Sequence, residues 1–385
     1  MTHNANARAR ARRRSLGTAG AVVASLSLVL TACSSGGGEE AASSAPAESA
    51  PAESAPAESA PAESAPAESA PAAAGDLAQY IGNPDPALCA GREYTFGYNT
   101  FSDTEEFAAN LWNGIQEVAD QIGCVTVTKL SDNVDPATAV ANAKIFAQQK
   151  VDGALLFNVL EAAGPGQVQV LQQAGIPAVS IVVEAPDETF VTNDDFADGE
   201  KAGQALGQAY LDSGRTGEVY ALVGRFDGQG KTGIARMDGL VKGLTDTVPG
   251  LKVEEFETKA DPPTAQAGAA AALGKIPDGA TILVSGINDG IANAMFQGVK
   301  QAKREKDTLV LPIGSVNPGG LQFICQNPEY VGGLGFFPEN WPKYMIPALI
   351  ARVQGAELEH KYVVPTEIIP RDKINEFYPD FKCDN

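Results

Sequence analysis

The sequence predicts an α/β chain built as two doubly wound parallel-sheet lobes. Three observations carry that reading. From Tyr94 to Val183, runs suited to buried strands alternate with amphipathic helical patterns. The alternation starts again at Val219 and continues to Ile313. No second linker separates the two series, so they read as two lobes in contact. Strands spaced by helices of about 10–15 residues form βαβ units, and such units build parallel sheets covered on both faces.

In the first series, Tyr94–Asn99 reads as a strand. Phe107–Ile122 follows as a helix with Leu111, Ile115, Val118 and Ala119 on one face. Val125–Leu130, Gly153–Phe157 and Ala178–Val183 read as further strands, with helices near Ala137–Gln149 and Gln167–Ala174 between them. In the second series the strands are Val219–Val223, Lys252–Phe256, Thr281–Val284 and Leu309–Ile313. Helices fall near Gly233–Leu244, Thr264–Leu273 and Gly290–Lys303. Ligands of open α/β sheets bind beyond the carboxyl ends of the strands, so two such edges facing one another form a cleft.

Ahead of this region the chain reads as an export signal and a tether. Arg8, Arg10, Arg12, Arg13 and Arg14 precede an uncharged, mostly apolar run from Leu16 to Ala32. A basic start, an apolar stretch and small residues before a cut site mark a secretory signal. Seventeen residues diluted by Gly17, Ala19, Gly20, Ser25 and Ser27 fall short of the run of about 20 that spans a bilayer. Leu30-Thr31-Ala32-Cys33 resembles the lipobox of bacterial lipoproteins, which implies cleavage after residue 32 and lipidation of Cys33. The arginine cluster also resembles a twin-arginine signal, but too loosely to choose the export route. Residues 33–75 then form a linker in which Ala-Pro-Ala-Glu-Ser repeats five times, from Ala45 to Ser69. Proline every five residues blocks a helix and the spaced glutamates extend the chain. About 40 residues at about 3.1 Å each give a tether of up to about 120 Å.

Composition excludes several functions. Lys+Arg number 28 against 48 Asp+Glu, and removal of residues 1–32 lowers the basic count to 23, a net charge of −25. That surface repels phosphate backbones, so no nucleic-acid partner is expected. With Cys33 lipidated, Cys89, Cys124, Cys325 and Cys383 remain, an even number that fits two disulfides outside the cytoplasm, with three pairings open. Only His360 is left among histidines, which argues against histidine catalysis and a multi-histidine metal site. Neither a cofactor nor a metal is expected.

The segment from Gly224 to Thr232 mimics a phosphate-binding loop, but five residues separate its first glycine from Gly230-Lys231-Thr232 where a Walker loop has four. It reads as a tight turn presenting a helix N-terminus to the cleft. Acidic pairs such as Glu105-Glu106 and Asp194-Asp195 point in different directions on one element, and solvated surface is their ordinary role. The informative pattern is polar residues at strand ends: Asn99, Asn158, Asn288-Asp289 and Asn317. Amides there serve ligand hydroxyls, while a phenyl ring offers a flat face. For any single asparagine, turn-making or helix capping is the plainer role.

At these residues the chain resembles the type 1 periplasmic binding proteins, in particular the ribose/galactose-binding branch that serves ABC importers. The resemblance spans about Arg92 to Tyr378. It rests on "FAANLWNGIQEVADQIG" from Phe107, "VDGALLFN" ending at Asn158, "AGIPAVSIVVE" ending at Glu184, "NDDFADGEKAG", "IARMDGL" around Arg236, and "LVSGINDGIANAM" around Asn288. It implies that Phe107 stacks on the ligand and that Arg236 donates to ligand oxygens. Asn288 would bind a hydroxyl, and Asn317 would take the place of an acid. Glu105, Asn158, Glu184 and Phe336 complete the implied contacts. The family's Asp-Arg pair is Val182-Val183 here, its second stacking aromatic is Ala108, and Phe336 stands where a polar hinge residue is common. Loss of positive charge favours a neutral or cationic ligand.

The resemblance further implies three crossings between lobes, near Thr192, Phe336 and Pro365. The N-terminal lobe would be 91–192 with 337–365, and the C-terminal lobe 193–336 with 366–385. It implies the bridges Cys89–Cys124 and Cys325–Cys383, since a bridge across the lobes would oppose hinge closure. LacI-like repressors share the fold, but they carry a basic DNA-binding segment where this chain carries a signal and an acidic spacer. The expected protein is a monomeric, lipid-anchored receptor on the extracytoplasmic face of the cell membrane, passing a sugar-like ligand to an ABC permease. The alternatives are a co-receptor presenting ligand to a membrane sensor, or an exported glycosidase-like hydrolase using paired acids.

Overall fold

Six parallel strands form the first sheet: β1 (Tyr94–Thr100), β2 (Val125–Ser131), β3 (Gly153–Phe157), β4 (Ala178–Ile181), β5 (Thr189–Thr192) and β11 (Lys361–Val363), in the order β2-β1-β3-β4-β5-β11. The second sheet holds β6 (Val219–Arg225), β7 (Lys252–Glu257), β8 (Thr281–Gly286) and β9 (Thr308–Val310), in the order β7-β6-β8-β9, again parallel. An antiparallel ribbon of β10 (Gly332–Gly335) and β12 (Glu367–Pro370) lies beside β9 through bridges at Val310–Tyr330 and Ile313–Leu334. This is a computed structural model, and it describes residues 77–314 and 318–384. Cys33, the signal, the repeat linker and Asn317 lie outside the described residues. Both sheets fall within one compact unit of the chain, Glu68–Asn385.

Local chemistry sets the helices. Helix α1 (Glu106–Ile122) begins where the Glu105 side chain accepts from Ala108 N and stops at Gly123, which takes φ +80°. Asp135 caps α2 (Pro136–Gln149) in the same way. Helix α3 (Gly164–Gln173) covers the β3–β4 crossover. Along β3, Leu155 and Phe157 enter the core under α1, whereas Ala154 and Leu156 enter the one under α2 and α3. That period of two is why the β3 sequence is apolar throughout. Strand order reverses between β1 and β3, and again between β6 and β8. Right-handed crossovers therefore put successive helices on opposite faces and leave a crevice at each reversal.

In the second sheet, α4 (Asp195–Asp212) packs on α5 (Lys231–Thr247), and α6 (Pro262–Leu273) packs on α7 (Asp289–Gln301). Helix α8 (Pro318–Gln326) precedes the ribbon. The chain leaves the first sheet after Thr192, returns between Gly335 and helix α9 (Pro342–Val353), and crosses again between Val363 and Glu367. The short α10 (Ile374–Phe377) follows. Bridges join Cys89 to Cys124 and Cys325 to Cys383, the pairing the resemblance implies.

Two predicted strands are shorter than their sequence reads. Ala178–Val183 ends at Ile181 because Val182 takes φ +68° and turns the chain. Leu309–Ile313 is a strand only to Val310, since Pro312 has no N–H for a ladder, and Ile313 keeps a single bridge.

Candidate functional site

The two reversal points face one another across a cleft of about 600 Å³. Residues following β1 and β3 (Glu105, Phe107, Val159) form one wall with Phe157, and those following β6 and β8 (Phe226, Gln229, Ile287, Asn288) form the other. Phe336 enters from the second crossing. Phe107 sits edge-on to Phe157, Phe336 and Trp341, with ring centroids 6.0, 6.5 and 5.9 Å away. Trp341 is fully buried and donates from Nε1 to Phe336 O at 2.7 Å. The aromatic floor is thus tied to the crossing strand itself. Edge-to-face rings hold one another beyond simple area burial, by about 0.5–1.5 kcal/mol per pair.

Arg236 supplies the charge. Its Nε and Nη2 donate to Asp195 Oδ1 at 2.9 and 2.5 Å, and Nη1 donates to Ile287 O at 3.0 Å. The guanidinium also lies 4.9 Å from the Phe336 ring centre. Asp195 opens α4 and Arg236 lies on α5, so the pair depends on how closely these helices approach. Glycines allow it: a Cβ at Gly199 would stand 1.9 Å from Arg236 O, and one at Gly239 would stand 2.1 Å from Phe196 O. Burial pushes the Asp195 carboxyl up, and the adjacent guanidinium opposes that push. Both side chains are almost fully buried, so the pair is nearly neutral as a ligand sees it.

The walls also touch at the rim. Gly319 N, in the first turn of α8, donates to Glu106 Oε1 at 3.0 Å. At the loop before α5, a Cβ on Gly230 would stand 2.5 Å from Glu161 Oε2. Two carboxylates from the first wall therefore meet helix N-termini of the second, where the macrodipole favours negative charge. The Gly224–Thr232 segment carries a short 3₁₀ turn, Asp227–Gln229, and the Glu161 carboxylate lies beside its helix start.

A family model described as the periplasmic binding protein domain matches residues 96–357, well over half of the chain. The chain belongs to that family. Solved structures with the same fold include an ABC transporter periplasmic solute binding protein from Actinobacillus succinogenes with bound D-allose, at 16% identity and TM-score 0.63, covering 73% of this chain and 99% of that one. A Mycobacterium smegmatis protein in complex with β-D-fucofuranose follows at 19% and 0.64, covering 74% and 94%. A Bacillus halodurans solute binding protein with bound myo-inositol stands at 16% and 0.62, covering 75% and 98%. No curated protein sequence matches the chain. Among the described residues, no helix is long and apolar enough to cross a membrane.

Of the ligand contacts implied by sequence, Glu105, Phe107, Arg236, Asn288 and Phe336 line this cleft. Asn288 does two jobs: Oδ1 accepts from Ile291 N at 2.9 Å as the cap of α7, while the residue lines the cleft. Glu105 likewise caps α1, and burial pushes its carboxyl up. Two expectations need correction. Glu184 does not reach the cleft; after the turn at Val182 it points outward, 2.7 Å from His360 Nε2. Asn158 is turned the other way, its Nδ2 donating to Gln167 Oε1 at 2.8 Å in α3. It lines a separate small hollow beside Asp132. Asn99 is spent in a buried network, donating to Asp132 Oδ2 and accepting from Asn142 Nδ2.

Sequence reasoning missed Phe157, Phe226, Gln229 and Asn193 as lining residues. The two phenylalanines stand at strand ends, where the signal existed, but an aromatic residue there reads first as core. Asn193 follows a strand too short to see in the sequence.

Proposed function

We propose that this protein is the extracytoplasmic solute-binding lipoprotein of an ABC importer, capturing a small polyhydroxylated ligand by closure of two lobes. The observation that carries the reading is the cleft between the carboxyl edges of two parallel sheets, floored by a crossing strand that bears Phe336. Its phenyl-rich lining suits the flat face of a sugar or cyclitol ring, and Arg236, Asn288 and Glu105 suit hydroxyls at the ring edge. The rings named with the three structural neighbours (D-allose, β-D-fucofuranose and myo-inositol) support that ligand class.

In this reading the lobes are 91–192 with 337–365 and 193–336 with 366–385, hinged near Thr192, Phe336 and Pro365. Ligand held by one wall gains the contacts of the second on closure, which shifts the population to the closed form. The closed pair of surfaces meets the permease, while Cys33 and the repeat linker keep the monomeric receptor at the membrane. Capture and release, with no turnover, is the whole chemistry.

Thermal melting with D-allose, D-fucose and myo-inositol tests the capture. A ligand that binds only the folded state at about 100 times its Kd adds about 2.7 kcal/mol, a clear rise in Tm. Mass spectrometry of small molecules released on denaturation gives a second readout. No shift with any of the three, and no released polyol, would refute sugar capture. Cys33→Ser should move the protein from the membrane fraction to the soluble one.

A further inference from the structure

Asn193 stands where the chain first leaves the sheet of β1 to β5, and it lines the cleft. Its side chain is fully buried (0% exposed). Nδ2 donates to Asp198 Oδ2 at 2.7 Å, whereas Oδ1 has no hydrogen-bond partner in the protein. A carboxylate only accepts, so the amide nitrogen must face Asp198 and the oxygen must face away from it. A buried acceptor without a donor is costly and calls for a partner. The hydroxyl of Thr192, one residue earlier, is also buried and unpartnered.

The anchor is on another crossing. The second oxygen of Asp198 accepts from Thr366 Oγ1 and lies 3.6 Å from Lys201 Nζ. Lys201 Nζ in turn donates to Thr366 O and Oγ1, each at 3.0 Å. One amide oxygen is therefore aimed by a carboxylate that ties the first crossing to the third.

Resting on the sugar-capture reading above, we propose that Asn193 is a specificity-determining residue whose amide oxygen accepts from a hydroxyl of the captured ring, held in place by Asp198 and Thr366. Arg236 and Asn288 supply donors; Asn193 supplies a neutral acceptor on the hinge itself. A ligand lacking a donor at that point leaves the oxygen buried and unpaired, which is how such a site discriminates between rings of one shape. Because the acceptor belongs to a crossing strand, the bond that reads the ligand also stiffens the hinge.

Isothermal titration of D-allose, D-fucose and myo-inositol into wild type, Asn193→Leu and Asp198→Asn tests this, with folding followed by circular dichroism. The binder found for wild type should weaken about 10- to 100-fold in Asn193→Leu. Among monodeoxy analogues of that binder, one should lose affinity for wild type but not for Asn193→Leu, a change no purely structural role produces. If Asn193→Leu does not fold, Asp198→Asn with the same analogues decides, and it should lose that discrimination. Binding to Asn193→Leu within about threefold of wild type, or equal discrimination of every analogue by variant and wild type, overturns the assignment alone. Failure of all three compounds to bind wild type, together with no polyol released on denaturation, overturns the sugar-capture reading and the assignment with it; a released polyol takes their place as the titrant.

Discussion

Gly239→Ala is the substitution whose effect the helix geometry fixes best. A Cβ there would stand 2.1 Å from Phe196 O and 3.0 Å from Glu200 N. Carbon–oxygen contacts between packed backbones settle at about 3.3–3.6 Å. The opposing atom is main chain and cannot swing aside, so α4 and α5 must separate by about 1 Å or more. Gly199 and Gly243 are in the same predicament, with Cβ positions 1.9 Å from Arg236 O and 2.2 Å from Glu200 O, so the helices cannot relieve the clash by sliding one turn. Separation stretches the 2.5 Å contact of Arg236 Nη2 to Asp195 toward the limit of a hydrogen bond. Overpacking of this kind costs about 1–3 kcal/mol, and a buried ion pair pulled apart costs more. We expect a loss of about 3 kcal/mol, which lowers Tm by about 5 °C given about 2.1 cal/mol/K of unfolding entropy per residue over the 305 described residues. Scanning calorimetry of wild type, Gly239→Ala and Gly290→Ala reads it. Gly290 lies in the first turn of α7 with its nearest neighbour at 3.5 Å, so alanine there should hold or raise Tm. A Gly239→Ala Tm close to that of wild type, or an equal fall in Gly290→Ala, would refute the close-approach argument.

Three further outcomes follow from other contacts. Cys89→Ala with Cys124→Ala opens a loop of 35 residues' separation, and urea unfolding should show about 4 kcal/mol less stability by chain entropy; an unchanged midpoint would contradict that account. Burial raises the Glu105 carboxyl above its ordinary value of 4.5, so the folded state holds this proton to higher pH than the unfolded chain does. The group's contribution to stability therefore falls as pH rises from the ordinary value through the raised one. Glu105→Gln should gain Tm relative to wild type across that window, and a constant difference would rule the effect out. Glu106→Ala removes the carboxylate that meets Gly319 N across the cleft, a helix-terminus interaction of about 0.3–1 kcal/mol. Spin-label distances across the cleft should then report an open population about two- to fivefold larger, and identical distributions would mean the contact does not hold the walls together.

Much of the fold was legible because each βα unit writes its own period. Leu155 and Phe157 on one face and Ala154 and Leu156 on the other require apolar residues throughout β3, and the run is visible in the sequence. Helix α4 shows little period in the sequence, because Gly199, Gly203 and Gly207, needed for its approach to α5, remove the apolar marks that periodicity relies on. Helix α9 was masked by Pro342 and Pro347. Strands β5, β10, β11 and β12 hold three or four residues each, too few to show a period. These are also the strands that carry or flank the crossings, so the family resemblance, and not any local period, implies where the chain crosses.

The same limit separates the site residues that were found from those that were not. Arg236, Asn288 and Phe107 sit on long helices or directly after long strands, where local pattern sets their direction. Glu184 lies three residues beyond the end of β4, past a valine at positive φ, and that single turn sends it to His360 and out of the cleft. Asn193 is the reverse case. It opens the stretch NDDFADGEKAG with no local sign of its direction: Asp198 accepts from its Nδ2, and Asp198 is itself tied to Thr366, 168 positions on. A side chain aimed by its own element can be anticipated from sequence; one aimed by a distant crossing strand cannot. In the two-lobed reading proposed above, the groups at the crossings are of the second kind, and ligand identity would act on closure through them.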